Sequence, residues 1–287
     1  MGLFAWLLVT VQAADTGLPA RVAARIAASG ARAGVYFHDL SRGDSLLVGA
    51  HTRFHAASTM KVPVMIQLYR DRDAGRLSLD DSIPVTNVFR SIVDSSTYEL
   101  TKADDSDSTL YLRVGGKATI RELVELMETV SSNLATNLLI GRVGAPRANA
   151  TAHALGADSI LVLRGVEDGK AYRAGLNNTT TARDLGVLLA AIAEGRAASP
   201  AACQEMLGIL ARQHFNEGIP AGLPVGTRVY HKTGWIGGVV YHDAAIVERP
   251  GGRRYVLVVL TGGIQKDEDA YRLASDLSRL VYDSVAK

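Results

Sequence analysis

The sequence predicts an α+β fold, a three-layer α/β/α sandwich in which a five-stranded antiparallel sheet lies between terminal helices and carries an all-helical lobe. Three patterns predict it. A strand hairpin stands near the start of the chain, three further strand-like runs come only after residue 226, and the long stretch between reads as helices.

In chain order, Arg21 to Ala27 has helical periodicity, and the runs 33–40 and 45–50 form a hairpin around Ser41-Arg42-Gly43-Asp44. Helices are expected near 58–74, 119–129, 132–142, 181–195 and 200–213, most of them separated by Gly, Asp or Pro. Arg228 to Thr233 reads as a strand, followed by Trp235-Ile236-Gly237-Gly238 and another apolar run. The last stretch, 267–286, places Tyr271, Leu273, Ala274, Leu277, Leu280 and Val281 on one face, which should pack on the sheet. Residues 15–57 and 214–287 thus form a sheet lobe and 58–213 a helical lobe, with the ligand pocket at their boundary. The polar segment 93–108 is either a solvated loop or a rim that sets Tyr98 or Tyr111 against a ligand.

At 287 residues, 30.5 kDa and 47% hydrophobic, the chain can bury a substantial core. Its 31 basic and 29 acidic residues leave a net charge of +2, with no basic block, so no field favours nucleic acid. Cys203 is the only cysteine, which excludes an internal disulfide and a cysteine-based zinc site. The seven histidines form no metal-ligand spacing, so no metal and no cofactor is expected. His55 and His231 stand beside the motifs described next and read as packed side chains. Residues 3–14 are apolar and end in a Val-x-Ala pattern, which marks residues 1–14 as an export signal and the protein as periplasmic or secreted. No Lys or Arg precedes that run, and an apolar helix packed on the domain is the other reading. It is too short for stable membrane insertion, which needs about 20 residues.

Three short clusters carry the chemistry: Ser58-Thr59-Met60-Lys61, Ser131-Ser132-Asn133 and Lys232-Thr233-Gly234. A serine hydroxyl is protonated at neutral pH and attacks a carbonyl only when a base takes its proton. Three residues on in a helix, Lys61 shares a face with Ser58. If Ser58 opens that helix, its own N–H lies at the positive end of the macrodipole, where an oxyanion is stabilised. Each cluster alone has an ordinary explanation: a helix cap, a second cap, an edge-strand charge. Their conjunction, in this order, points to an acylating serine hydrolase.

S-x-x-K, S-x-N and K-T-G are the signatures of the penicillin-recognising serine enzymes. From about Thr16 to about Lys287 the chain resembles the class A β-lactamase family, which implies a β-lactamase/transpeptidase-like fold and hydrolysis of a β-lactam amide through an acyl-enzyme. The resemblance implies that Ser58 is the nucleophile, Lys61 its proton-transfer partner and Ser131 the relay to the leaving nitrogen. It implies further that Asn133 holds the substrate amide, that Lys232 and Thr233 bind its carboxylate, and that Gly234 lets the strand approach the ligand. The oxyanion hole would be the N–H groups of Ser58 and Trp235. The expected partner is a small β-lactam or a D-alanyl peptide-like molecule, handled by a monomer.

Two positions depart from the family pattern. Ser132 replaces an aspartate whose role is structural. The loop 164–178 has the family's edges, Arg164 and the Thr179-Thr180-Thr181 run, but a different interior. Glu167 is its nearest carboxylate to the position of the family's water-activating glutamate, with Asp168 beside it. Glu167 is therefore assigned as the deacylating base, and its ordinary alternative is a loop carboxylate paired with Arg164 or Lys170. That departure keeps two further functions open: a penicillin-binding-protein-like DD-peptidase or esterase, and a slowly deacylating β-lactam-binding sensor.

Overall fold

The computed structural model describes residues 17–285. The expected export segment lies outside the described residues. The main sheet contains β1 (Arg32–Asp39), β2 (Ser45–Val48), β3 (Arg228–Ile236), β4 (Val240–Glu248) and β5 (Arg254–Gly262), all antiparallel, in the order β2-β1-β5-β4-β3. Chain order explains the pairing. Each hairpin joins neighbours, and the return from the helical segment sets β5 beside β1, with Val35 opposite Val259.

The helices are α1 (Leu18–Ser29), α2 (Lys61–Asp73), α3 (Ile120–Thr129), α4 (Asn133–Val143), α5 (Ala145–Ala154), α6 (Gly169–Arg173), α7 (Ala182–Ala193), α8 (Pro200–Leu210) and α9 (Asp267–Val285). Local chemistry sets their ends. Thr119 and Glu122 form a capping box at α3, while Ser132, Thr181 and Ser199 cap α4, α7 and α8 with their hydroxyls. Gly30 ends α1 in the left-handed conformation that only glycine takes freely.

Two cores lie on the two faces of the sheet. One joins Val22 of α1 and Leu273, Leu277 and Val281 of α9 to Val35, Leu257 and Val259. The other fills the space between Val256, Val258 and Leu260 on the opposite face and the helical segment, with Met65 and Leu68 of α2 at its centre. Every β4 residue from Val240 to Val247 is buried, as a strand covered on both faces must be. Helix α2 is buried on nearly all sides, from Lys61 through Tyr69, and so threads the core.

Four expectations need correction. The helix expected from residue 58 starts as a 3₁₀ turn, Ala57–Met60, and becomes α-helical only at Lys61. Ala57 has φ +45°, a conformation no helix can continue through, so the chain enters abruptly. Segment 93–108 is ordered: Thr97–Glu99 pairs with Val88–Arg90, and Lys102–Asp104 makes a capped 3₁₀ turn. Helix α5 was not anticipated, because only Ala148, Thr151 and Ala152 of it are buried and so small a face leaves a faint pattern. Residues 58–213, expected to be all helical, also hold short strand pairs, Ser82–Pro84 with Lys117–Thr119 and Val88–Arg90 with Thr97–Glu99, and their helix α7 packs against β1, β4 and β5.

Candidate active site

The 3₁₀ turn carries Ser58 at the mouth of the cleft. Ala56 O accepts both the Thr59 N–H (3.1 Å) and its hydroxyl (2.6 Å), and the Ala57 N–H donates to His55 Nδ1 (3.0 Å). Those bonds lock the turn. His55 therefore acts as a fastener for the Ser58 turn, with burial holding its ring below the ordinary imidazole pKa. Ser58 and Lys61 still share a face, since residues i and i+3 eclipse in a 3₁₀ turn.

From β3, Gly234 presses on this turn. A Cβ at Gly234 would lie 3.1 Å from Thr59 Cγ2 and 3.2 Å from both Ala56 O and Ser58 N. Gly234 thus lets β3 lie close against the Ser58 turn.

Ser131 is the centre of the site. Its φ of +60° puts a non-glycine residue in the left-handed region, at the corner between α3 and α4. Lys61 Nζ donates to Ser131 O (2.7 Å), Ser131 Oγ (3.0 Å) and Asn133 Oδ1 (3.1 Å), while Lys232 Nζ donates to the same Ser131 Oγ (3.0 Å) and to Thr233 O (3.0 Å). Both lysines are fully buried. Burial and then the neighbouring Lys232 hold Lys61 well below the usual lysine pKa, with Asp105, Glu128 and Glu167 opposing. Burial also lowers Lys232, against the pull of Glu128 and Asp243. An amine that gives up its proton more readily than an ordinary lysine is suited to act as a base toward a neighbouring hydroxyl.

Asn133 Nδ2 donates to Asp104 O (2.7 Å) and Glu167 Oε1 (3.3 Å), so its amide links the α4 start to the 164–178 loop. Glu167, also at positive φ, faces the cleft. It is solvent-exposed as a residue, yet the cleft walls crowd its carboxyl and raise its pKa, with Asp104 adding to the rise and Arg164 and Lys61 opposing it. Its ordinary alternative fails. Arg164 is spent on Leu176 O, Gly165 O and Asn177 Oδ1, and Lys170 pairs with Asp94 at 2.9 Å. Asp168 turns inward to accept from Ser91 Oγ, the Ile92 N–H and the Ala171 N–H, which makes it the N-cap of α6.

Thr233 and the half-exposed Trp235 line a cavity of about 650 Å³ with Ser58, Ser131, Asn133 and Glu167. A second cavity of about 360 Å³ opens beside it between Ser58, Glu167 and Tyr172. The nine residues singled out in the sequence thus meet at one cleft.

Sequence reasoning missed Asp105. Its carboxylate accepts the N–H groups of Asn133 (2.9 Å) and Leu134 (2.8 Å), the Ser132 hydroxyl (3.3 Å) and the Tyr111 hydroxyl (3.1 Å). The carboxylate absent at position 132 is supplied from the 101–108 loop. Tyr98 also differs from expectation: its hydroxyl meets Val166 O at 3.2 Å, so it braces the Glu167 loop instead of facing ligand. No spacing rule marks either residue.

The sheet with its inserted helices, and the three clusters gathered at one cleft, define a β-lactamase/transpeptidase-like protein. The chain belongs to the β-lactamase enzyme family, whose model matches residues 17–285. Class A β-lactamases among solved structures share its fold. Among curated relatives, a β-lactamase of Rhodobacter capsulatus is 35% identical over 119 residues, which span 42% of this chain and 36% of that protein. β-Lactamase AST-1 of Nocardia asteroides is 29% identical over 90% of this chain and 80% of its own length. The structure of PBP-A is 31% identical with a TM-score of 0.81, covering 95% of this chain and 97% of that one, and a point mutant of PBP-A is known as an acyl-enzyme complex with penicillin G.

Proposed function

We propose that the protein is a serine β-lactamase that opens the β-lactam amide through an acyl-enzyme on Ser58. One observation carries the reading: Ser131 Oγ is held at 3.0 Å from both Lys61 Nζ and Lys232 Nζ beside the cavity that Ser58 lines. Neutral Lys61 takes the Ser58 proton as Oγ attacks the carbonyl carbon. The oxyanion is met by the N–H groups of Ser58 and Trp235. Ser131 then passes a proton to the departing ring nitrogen and regains one from Lys61. Lys232 and Thr233 hold the substrate carboxylate, and Asn133 its side-chain amide. Ionised Glu167 draws a proton from a water that attacks the ester, freeing Ser58.

The likeness to PBP-A supports a second reading, a DD-peptidase or esterase with the same acylation chemistry. A time course with a chromogenic cephalosporin, with intact-mass detection of the adduct, separates the two on the parent and on Ser58→Ala. Many turnovers that vanish in Ser58→Ala establish the lactamase. A single equivalent of stable adduct favours the peptidase or a sensor, and neither turnover nor adduct means a different substrate and ends the lactamase reading. Export to the periplasm or medium is part of the proposal, tested by fractionating cells that express the full chain.

A further inference from the structure

The cavity that Ser58 lines runs past Thr233 to a far end walled by Phe215, Glu217, Tyr241 and Tyr271. None of these four reaches the neighbouring cavity, so they stand away from the 164–178 loop. Segment 213–219 shapes this end and is pinned on two sides. The His214 N–H donates to Thr129 O (3.0 Å) and Gln213 Nε2 to Glu128 O (2.8 Å), which stitches the segment to the end of α3, beside the Ser131 corner. Toward β3 and β4, Asp243 Oδ2 accepts the Ile219 N–H (2.8 Å), while Asp243 Oδ1 and Asn216 Oδ1 bracket the His231 ring (2.9 and 3.3 Å). Gly218 is needed at this approach, because a Cβ there would collide with Tyr241 Oη and Asp243 Oδ2. Glu217 is thus set at the cleft by fixed neighbours.

Four carboxylates line the cavity, and three are engaged: Asp104 accepts the Thr101 N–H and hydroxyl, Asp105 holds the α4 start, and Glu167 accepts from Asn133. Glu217 is exposed and takes up no hydrogen bond or ion pair among the described residues. Nor does a lysine or arginine among the described residues line this wall, since Lys61 and Lys232 lie fully buried against Ser131. Around the free carboxylate stand rings. Tyr241 and Tyr271 meet edge to face with centroids 4.7 Å apart, and the half-buried Phe215 adds a third ring to the wall. A carboxylate among aromatic rings attracts an organic cation through its charge and through the ring quadrupoles.

We propose that this end of the cleft is a specificity subsite for an organic cation on the leaving side of the substrate, with Glu217 as its counter-charge and Tyr271 as its ring contact. This rests on reading Ser131 as the relay to the departing nitrogen, and Lys232 and Thr233 as the holders of the substrate carboxylate. That carboxylate brings negative charge toward Glu217. A plainly anionic β-lactam is therefore disfavoured, and a zwitterionic one with its cation beyond the carboxylate is preferred. Cephalosporins that carry a pyridinium-methyl group on the six-membered ring have this form.

Two cephalosporins with the same thienylacetyl side chain test it, one with the pyridinium-methyl group and the other with a neutral acetoxymethyl group in its place. Their intrinsic reactivities differ, so the readout is the change in the ratio of their kcat/KM values. Glu217→Gln, an exposed substitution that leaves the bonds of segment 213–219 in place, should lower the pyridinium-to-acetoxy ratio about fivefold. Tyr271→Leu should lower it at constant net charge. Raising the salt concentration should reduce the ratio in the parent and leave it nearly level in Glu217→Gln. An unchanged ratio in Glu217→Gln overturns the subsite. If the parent opens neither compound, the lactamase reading fails, and calorimetry with both compounds on Ser58→Ala then reads the subsite alone. Tighter binding of the pyridinium compound, abolished by adding Glu217→Gln, keeps the subsite; equal affinities, or binding of neither, overturn it as well.

Discussion

Asp105 accepts the backbone N–H of Asn133 at 2.9 Å, so a loop carboxylate fixes the first residue of the helix that follows Ser131. It also holds the Leu134 N–H and the Ser132 hydroxyl, which leaves the left-handed corner at Ser131 little room to relax. Asp105→Ala would strand these donors. We expect a loss of about 1–3 kcal/mol in urea unfolding at unchanged m-value. Displacing Ser131 and Asn133 should also slow acylation by about tenfold or more. Full stability together with full activity would remove Asp105 from the supporting frame.

Gly234 offers a test of close approach. With Thr59, Ala56 O and Ser58 N all within 3.2 Å of a would-be Cβ, Gly234→Ala must push β3 and the nucleophile's turn apart. Overpacking of this kind costs about 1–3 kcal/mol. The displacement acts on the oxyanion site, so kcat/KM should fall more than melting temperature implies. A variant with parental kcat/KM would show that the strand yields without moving Ser58.

Lys61→Ala removes the proposed base. Acylation should slow by about 10²–10⁴-fold. The fold should survive, because burial and the neighbouring Lys232 already disfavour a charged Lys61 at this position. Near-normal acylation, measured by stopped flow, would contradict the assigned base, and loss of the folded state would make Lys61 structural.

Ser58, Lys61, Ser131, Asn133, Lys232, Thr233 and Gly234 were legible in sequence because each motif is local: three or four consecutive residues on one turn or strand. The sheet was legible for a related reason, since β4 and β5 are largely apolar runs between glycine or polar turns. Asp105 was not legible: it matters through contacts with the distant α4 start, and an acidic residue in a loop carries no mark of the partner it will meet. Glu167 lies between these cases. Its place in the loop suggested it, but only the engagement of Arg164 and Lys170 elsewhere shows that no ion pair neutralises it. Helix α5 escaped because alanines and short polar residues give a helix little amphipathic contrast.

The raised pKa of Glu167 makes two linked expectations. A carboxyl whose folded pKa lies above its unfolded value binds protons more readily in the native state, so its contribution favours folding at low pH and is lost as pH rises through the raised value. Glu167→Gln removes that titration. The variant should therefore melt higher than the parent at pH 7, and the advantage should shrink toward pH 4, where the parent carboxyl is protonated in both states. Turnover should respond in the opposite sense. With Glu167 as the proposed base for deacylation, the parent's steady-state rate should fall on acidification at a pH above the ordinary glutamate value, while Glu167→Gln should give one equivalent of product and a persistent Ser58 adduct by mass. A melting difference that ignores pH would mean an unperturbed carboxyl. Undiminished steady-state turnover in the variant would assign the activation of water to another group.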